Sequence, residues 1–219
     1  MSKRGRPRAF DRDEALRAAM MVFWEKGYEG ASLEELQSVM GGISPPSFYA
    51  AFGSKERLFF EVVDRFNKTI GSRTIEALEG RPTARDGVAA MLREAVDVFC
   101  GQDTPRGCPI ILGGVNCTPA SKAVQDKLRF HRLQIPEVFR KRLERGVAER
   151  DLPEGVNLTP LVSFYATFYL GLPMRARDGA TREELLAAVG VAMAAWDQLI
   201  GPTHPRRKPS GNLRQSRRT

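Results

Sequence analysis

The stretch "GISPPSFYAAFGSKERLF", residues 42–59, gathers hydroxyls, aromatic rings and an ammonium into a short run. Ser44 and Ser47 can donate to phosphate oxygens or base edges, and Pro45 and Pro46 offer apolar surface suited to a thymine methyl. Tyr49 reaches a phosphate with its hydroxyl. Lys55, at the start of the following helix, joins an ammonium to free backbone N–H groups, a pairing that suits an anion. Ser32, further upstream, can serve from the other side. Arg4, Arg6 and Arg8 form a basic arm like those that enter the minor groove. The plainer alternative for Tyr49 and Lys55 is an ordinary solvated surface pair. Phe48 and Phe52, four positions apart, belong on one inward face. Residues 45–52 hold no Arg, Asn or Gln, so bidentate base readout is thin and groove shape must carry much of any specificity.

The elements that position these groups read as helices. Residues 12–26 put Ala15, Leu16, Ala19, Met20 and Phe23 on one stripe, ended by Gly27. Ser32 followed by Glu35 forms a capping-box pattern for a short helix to about Val39, broken at Gly41 and Gly42. Ser44 caps a third helix with Pro45 at its first position, where a missing N–H costs nothing. The prolines therefore start a helix rather than break one. Gly53 ends it, and Ser54 caps a long helix from Lys55 to about Leu78. Two short helices joined by a glycine turn, after a longer one, predict a helix-turn-helix with Leu33, Leu36, Val39, Ile43, Phe48 and Phe52 as its core.

The run "GYEGASLEELQSVMGGISPPSFYAAFGSKERLF" resembles the DNA-binding domain of TetR-family transcriptional regulators, without insertion across residues 10–59. Pro46 stands where the family often has glycine, and Ala50 where it often has histidine or another long polar residue. The resemblance implies an all-α fold: a basic arm at 1–10, a DNA-binding domain at 11–54, a helical ligand-binding and dimerisation domain at 55–201, and a basic tail at 202–219. It implies three partners: double-stranded operator DNA, a small-molecule inducer and a second copy of the chain.

In the second part, helical spacing recurs over 85–99, 122–149, 158–175 and 182–199, with a short apolar element at 105–117. Pro136 is expected to kink or divide the helix over 122–149. A pocket among these helices would draw on Phe99, Cys108, Ile111, Asn116, Phe130, His131 and Phe168; packed core is the competing assignment for each. The resemblance assigns the dimer interface to the last two helices, through Tyr165, Phe168, Leu172, Leu186, Val189, Met193 and Trp196. His131 has no companions at metal spacing, so neither metal nor cofactor is expected. Cys100, Cys108 and Cys117 fit no zinc pattern and read as small buried hydrophobes. Arg106, close to Cys108, leaves a redox-sensing thiol as an alternative, and some members of the family use one.

Charge placement supports this organisation. The net charge is +8, and Lys3, Arg4, Arg6 and Arg8 with Arg206, Arg207, Lys208, Arg214, Arg217 and Arg218 account for more than all of it. The body is thus nearly neutral between two basic ends, a pattern of polyanion binding or, for the tail, of simple solubility. No apolar run approaches the ~18 residues of a membrane span. Residues 1–14 contain no apolar stretch, so a cytoplasmic protein with reduced thiols is expected. No GxSxG, P-loop or HExxH pattern supports an enzyme. A non-specific architectural DNA binder is the remaining alternative, and it would leave the second helical part without a role.

Overall fold

The computed structural model describes residues 11–114 and 117–200, and all secondary structure among them is helical. Helix α1 spans Arg12–Gly30, α2 Leu33–Val39 and α3 Pro45–Phe52. Helix α4 spans Lys55–Phe66 and runs through a π-helical segment, Asn67–Gly71, into α5, Ser72–Glu79. Then come α6 (Ala84–Phe99), α7 (Pro109–Leu112), α8 (Lys122–Ala148), α9 (Leu158–Arg177), α10 (Arg182–Ala194) and α11 (Trp196–Ile200).

The starts and stops follow local chemistry. Asp11 caps α1 through the N–H groups of Asp13 and Glu14, and Gly27 leaves helical geometry at φ 70°. Ser32 Oγ accepts from Glu35 N–H at 3.1 Å. The reciprocal half of the expected capping box is not made, because the Glu35 carboxylate pairs with Lys26 instead. Ser54 caps α4 through Arg57 N–H. Gly53, at φ 75°, turns α3 into α4 in a conformation that side chains rarely adopt.

Two expectations on the elements change, and a third is narrowed. The helix after Ser54 is interrupted: a π segment widens it at Asn67–Gly71, where Thr69 Oγ1 donates back to Arg65 O at 2.8 Å. Pro136 does not divide α8, which stays one element of 27 residues. The last helix divides at Ala195 into α10 and α11.

The core is continuous. Phe23, Phe48, Phe59 and Phe66 are buried at the α1–α4 end, and Phe99, Phe139, Tyr165 and Trp196 at the other. Each such ring contributes about 1.5–3 kcal/mol relative to exposure. Of the expected helix-turn-helix core, Leu36, Phe48 and Phe52 are buried, and Leu33 and Ile43 are half-buried. Val39 is 43% exposed, because α2 ends there and its last turn faces outward.

Candidate nucleic-acid interface

Helix α3 is short, and its inward face is fixed. Phe48 and Phe52 are buried with ring centroids 5.8 Å apart, and the Arg12 guanidinium lies 4.7 Å from the Phe52 ring centroid. That anchoring turns Ser44, Pro45, Pro46, Ser47, Tyr49 and Ala50 to solvent. Tyr49 is 51% exposed, its ring held edge-on to Phe48 at 5.5 Å.

The two serines divide their tasks. Ser44 Oγ accepts from Ser47 N–H at 3.4 Å and donates to Ser47 Oγ at 2.9 Å. Its proton is committed within the cap. The Ser47 hydroxyl, already accepting, has its own proton to direct outward. Lys55 sits at the first position of α4, half-buried, with Nζ 4.4 Å from the Tyr28 ring centroid. Burial draws its ammonium below the usual lysine range, and Glu29 partly opposes this. Tyr28 is not among the expected contributors. Its signal in the sequence is only the "GYEG" run beside Gly27, which does not reveal an aromatic seat for a distant lysine.

The surface thus carries hydroxyls, two apolar rings and a phenol along α3, with a cation seated at its flank. It can dock in a groove and bind phosphate at its edge. Arg4, Arg6, Arg8 and the basic tail lie outside the described residues. Among those described, no group of three His, Cys, Asp or Glu residues is placed to hold a metal ion.

Among the described residues, the expected pocket residues differ in exposure. Phe99, Cys108 and Ile111 are closed into the core. Burial pushes the Cys108 thiol up to about 11. Phe130 is 58% exposed and so lines no enclosed space. His131 and Phe168 are half-buried, the latter stacked on Phe164 at 6.4 Å. Asn116 lies outside the described residues. An open cleft of about 1100 Å³ occurs elsewhere, between the α1–α3 end and the loop after α6, where Met20, Met21, Val39, Ile43, Ile70 and Asp103 line it.

Tyr165, Leu172, Val189, Met193 and Trp196 are buried within a single chain. Tyr165 Oη donates to Ala192 O at 3.0 Å, and its ring lies 5.4 Å from Trp196. These side chains tie α9 to α10 and α11 inside one protomer, while Phe168 and Leu186 are half-buried. The helical pattern marks which residues are apolar but not which of two apolar faces each belongs to. The exposed face of the same helices carries Thr167, Gly171, Met174, Ala187, Gly190 and Val191.

A three-helix reading head with an exposed α3, joined to a larger helical body, defines a helix-turn-helix DNA-binding transcriptional regulator. Residues 15–62 match the family model for bacterial regulatory proteins of the tetR family. The chain is 30% identical to the HTH-type transcriptional repressor ComR of Escherichia coli K12, over 90% of this chain and 94% of that one. It is 28% identical to the repressor BdcR of the same strain, with the same coverage. A solved structure of the TetR-family regulator CifR, a cysteine mutant complexed with 26-bp double-strand operator DNA, is 48% identical. It covers 88% of this chain and all of its own, with a TM-score of 0.83. The chain belongs to the TetR family.

Proposed function

We propose that the chain is a dimeric repressor that holds a palindromic operator through α3 and is released from it by a small-molecule ligand. The observation that carries this reading is the fully solvent-turned face of α3 with Lys55 seated beside it on Tyr28. Residues 11–54 read the operator, Ser47, Pro45, Pro46 and Tyr49 in the groove and Lys55 and Ser32 on phosphates. Arg4, Arg6 and Arg8 add the neighbouring groove. Residues 55–201 receive the ligand and dimerise, and residues 202–219 add charge. ComR and BdcR are both named repressors, and the CifR complex contains operator DNA, which favours the same role here. The protein works in the cytoplasm, where its DNA is, and catalyses no reaction.

Dimerisation runs through the exposed face of α9 and α10. Gly171 and Gly190 sit inside helices, and a Cβ built on either meets nothing within 4 Å. A mid-helix glycine costs about 1 kcal/mol relative to alanine. Nothing in the single chain explains that cost, whereas the close approach of a partner helix does.

Cysteine-based sensing is the second reading. Arg106 Nη2 lies 3.7 Å from Cys100 Sγ, and with Arg182 it favours the thiolate there. Burial nonetheless outweighs both and raises the Cys100 thiol, as it raises Cys108 and Cys117.

Footprinting on the DNA flanking the gene tests the main reading. A discrete protected palindrome is expected. A uniform ladder would mean a non-specific architectural protein.

A further inference from the structure

The cations of residues 11–66 are Arg12, Arg17, Lys26, Lys55, Arg57 and Arg65. Most are committed within the protein. Arg12 pairs with Glu61, Lys26 with Glu35 and Arg65 with Asp13. Lys55 rests on the Tyr28 ring. Arg17 and Arg57 are exposed and make no ion pair among the described residues.

These two stand at opposite ends of α3. Arg17, on α1, lines the open cleft that reaches Ser44 and Ser47, where α3 begins. Asp11, Glu14 and Asp103 line the same cleft, and Arg17 is the one cation among its described lining residues. A phosphate arriving there would meet carboxylates alone but for Arg17. Arg57, on α4, lies over the turn that ends α3. A Cβ built on Gly53 would stand 3.0 Å from both Cδ and Nη1 of Arg57. Glycine at this turn therefore serves its φ of 75° and also leaves room for the guanidinium. A cation there suits the carbonyl end of α3, yet the Arg57 side chain donates to no carbonyl among the described residues.

Helix α3 has 8 residues, so it is about 12 Å long at ~1.5 Å per residue. The major groove is itself about 12 Å wide. A guanidinium held at each end of such a helix can reach one wall of the groove, and its N–H fork matches a phosphate. Residues 45–52 carry no Arg, Asn or Gln, so the register of α3 must be fixed by contacts from outside it.

We propose that Arg17 and Arg57 bind phosphates on opposite walls of the groove that α3 enters, clamping the helix from its two ends without reading bases. This rests on α3 as the reading helix, as given above. The clamp assigns the positioning of α3 to side chains of α1 and α4.

The test uses the full chain and two labelled duplexes: one cut from the stretch protected in the footprint, and one of the same length and composition with its sequence shuffled. Anisotropy is followed across a salt series. R17Q and R57Q should each weaken binding to both duplexes by about tenfold and lower the log–log salt slope by about one. Together they should lower it by about two. R57K should keep the slope. Lys141, exposed on α8, is the control for net charge, and K141Q should leave affinity and slope as they are. Slopes unchanged in R17Q or in R57Q, an equal fall in K141Q, a loss confined to one duplex, or R57K behaving as R57Q would each overturn the clamp. Lys55→Ala separates this inference from the reading it rests on. A loss there with none in R17Q and R57Q removes the clamp and keeps α3 as the reading helix. No loss in any of the three removes both.

Discussion

Trp24 of α1 donates its indole N–H to the carbonyl oxygen of Gly107, 3.2 Å away across 83 positions of chain. The same turn of α1 is held from the other side, where Arg177 of α9 donates to Trp24 O at 2.8 Å and Glu25 O at 3.0 Å. The DNA-reading end is therefore tied to the body by more than its covalent link. One tie is covalent, through α4 and the π segment. Others are this clamp and the Glu29 carboxylate, which accepts from Thr118 N–H and Oγ1 at 2.9 Å each; chain connectivity reveals neither.

Replacing Trp24 with Phe tests the clamp. The ring against Phe66 (5.1 Å, edge-on) is largely kept, while the donor is lost and Gly107 O is left unpaired. Urea unfolding should show a loss of about 1–3 kcal/mol. Ligand-induced release should also weaken, since a head that has lost this bond and keeps only the Arg177 and Glu29 contacts beside α4 follows the body less closely. An unchanged midpoint and unchanged release would show the bond to be idle.

Tyr49→Phe and Lys55→Ala should each weaken operator binding with helical content intact. The lysine change should also reduce the log–log salt slope by about one, the signature of one lost phosphate contact. Tyr28→Leu gives a third arm. It touches no DNA in this reading, but it removes the ring that seats Lys55, an interaction of about 0.5–1 kcal/mol at a partly exposed site. Its expected effect is a smaller affinity loss with the salt slope retained. Fluorescence anisotropy across a salt series separates the three.

The DNA-reading end is legible in the sequence because its signals are local. Ser44, Pro45 and Gly53 set the bounds of α3 through capping and backbone geometry, and those bounds match the observed helix. Spacing alone assigns Phe48 and Phe52 inward, and both are buried. The body is less legible because its questions are not local. Periodicity marks Tyr165 and Trp196 as apolar, yet whether they face their own chain or a second one depends on how α9, α10 and α11 pack. The π segment has no visible sign either: "NKTIG" contains a single glycine and nothing that forces a widened turn. The Lys55–Tyr28 and Trp24–Gly107 contacts join residues whose meeting only the tertiary fold decides.

Cys108 makes a pH prediction. Burial raises its thiol to about 11 from an ordinary 9.0, so the folded chain holds this proton where the unfolded chain releases it. The contribution is fully present below pH 9 and is lost as pH rises towards 11. Two units correspond to roughly 2–3 kcal/mol. Between those limits, wild-type stability should fall more steeply with pH than that of Cys108→Ala, as followed by denaturant midpoints. Alkylation of the native protein should reach the half-buried Cys100 and Cys117 first. Parallel pH curves, or early modification of Cys108, would place the thiol nearer solvent than its burial implies.

Gly171 and Gly190 decide the dimer. Val191, beside Gly190, is 73% exposed in the single chain, although it is a large apolar residue in a helix. The space beyond both glycines is open. A Cβ at either position meets nothing within 4 Å in its own protomer, both positions are exposed, and leucine has the better helix propensity. Helical content and monomer fold should survive Gly171→Leu and Gly190→Leu. A partner helix packed against those backbones would be pushed away by the new side chain. Sedimentation should give about twice 24.4 kDa for the wild type at micromolar concentration and the monomer mass for the variants. Operator affinity should fall by orders of magnitude, because two half-sites are no longer engaged by one linked pair of reading helices. Trp196→Ala, by contrast, removes a ring buried inside the protomer and should unfold the chain before it separates a dimer. If both leucine variants sediment as dimers and hold the operator with wild-type affinity, the interface lies on another face.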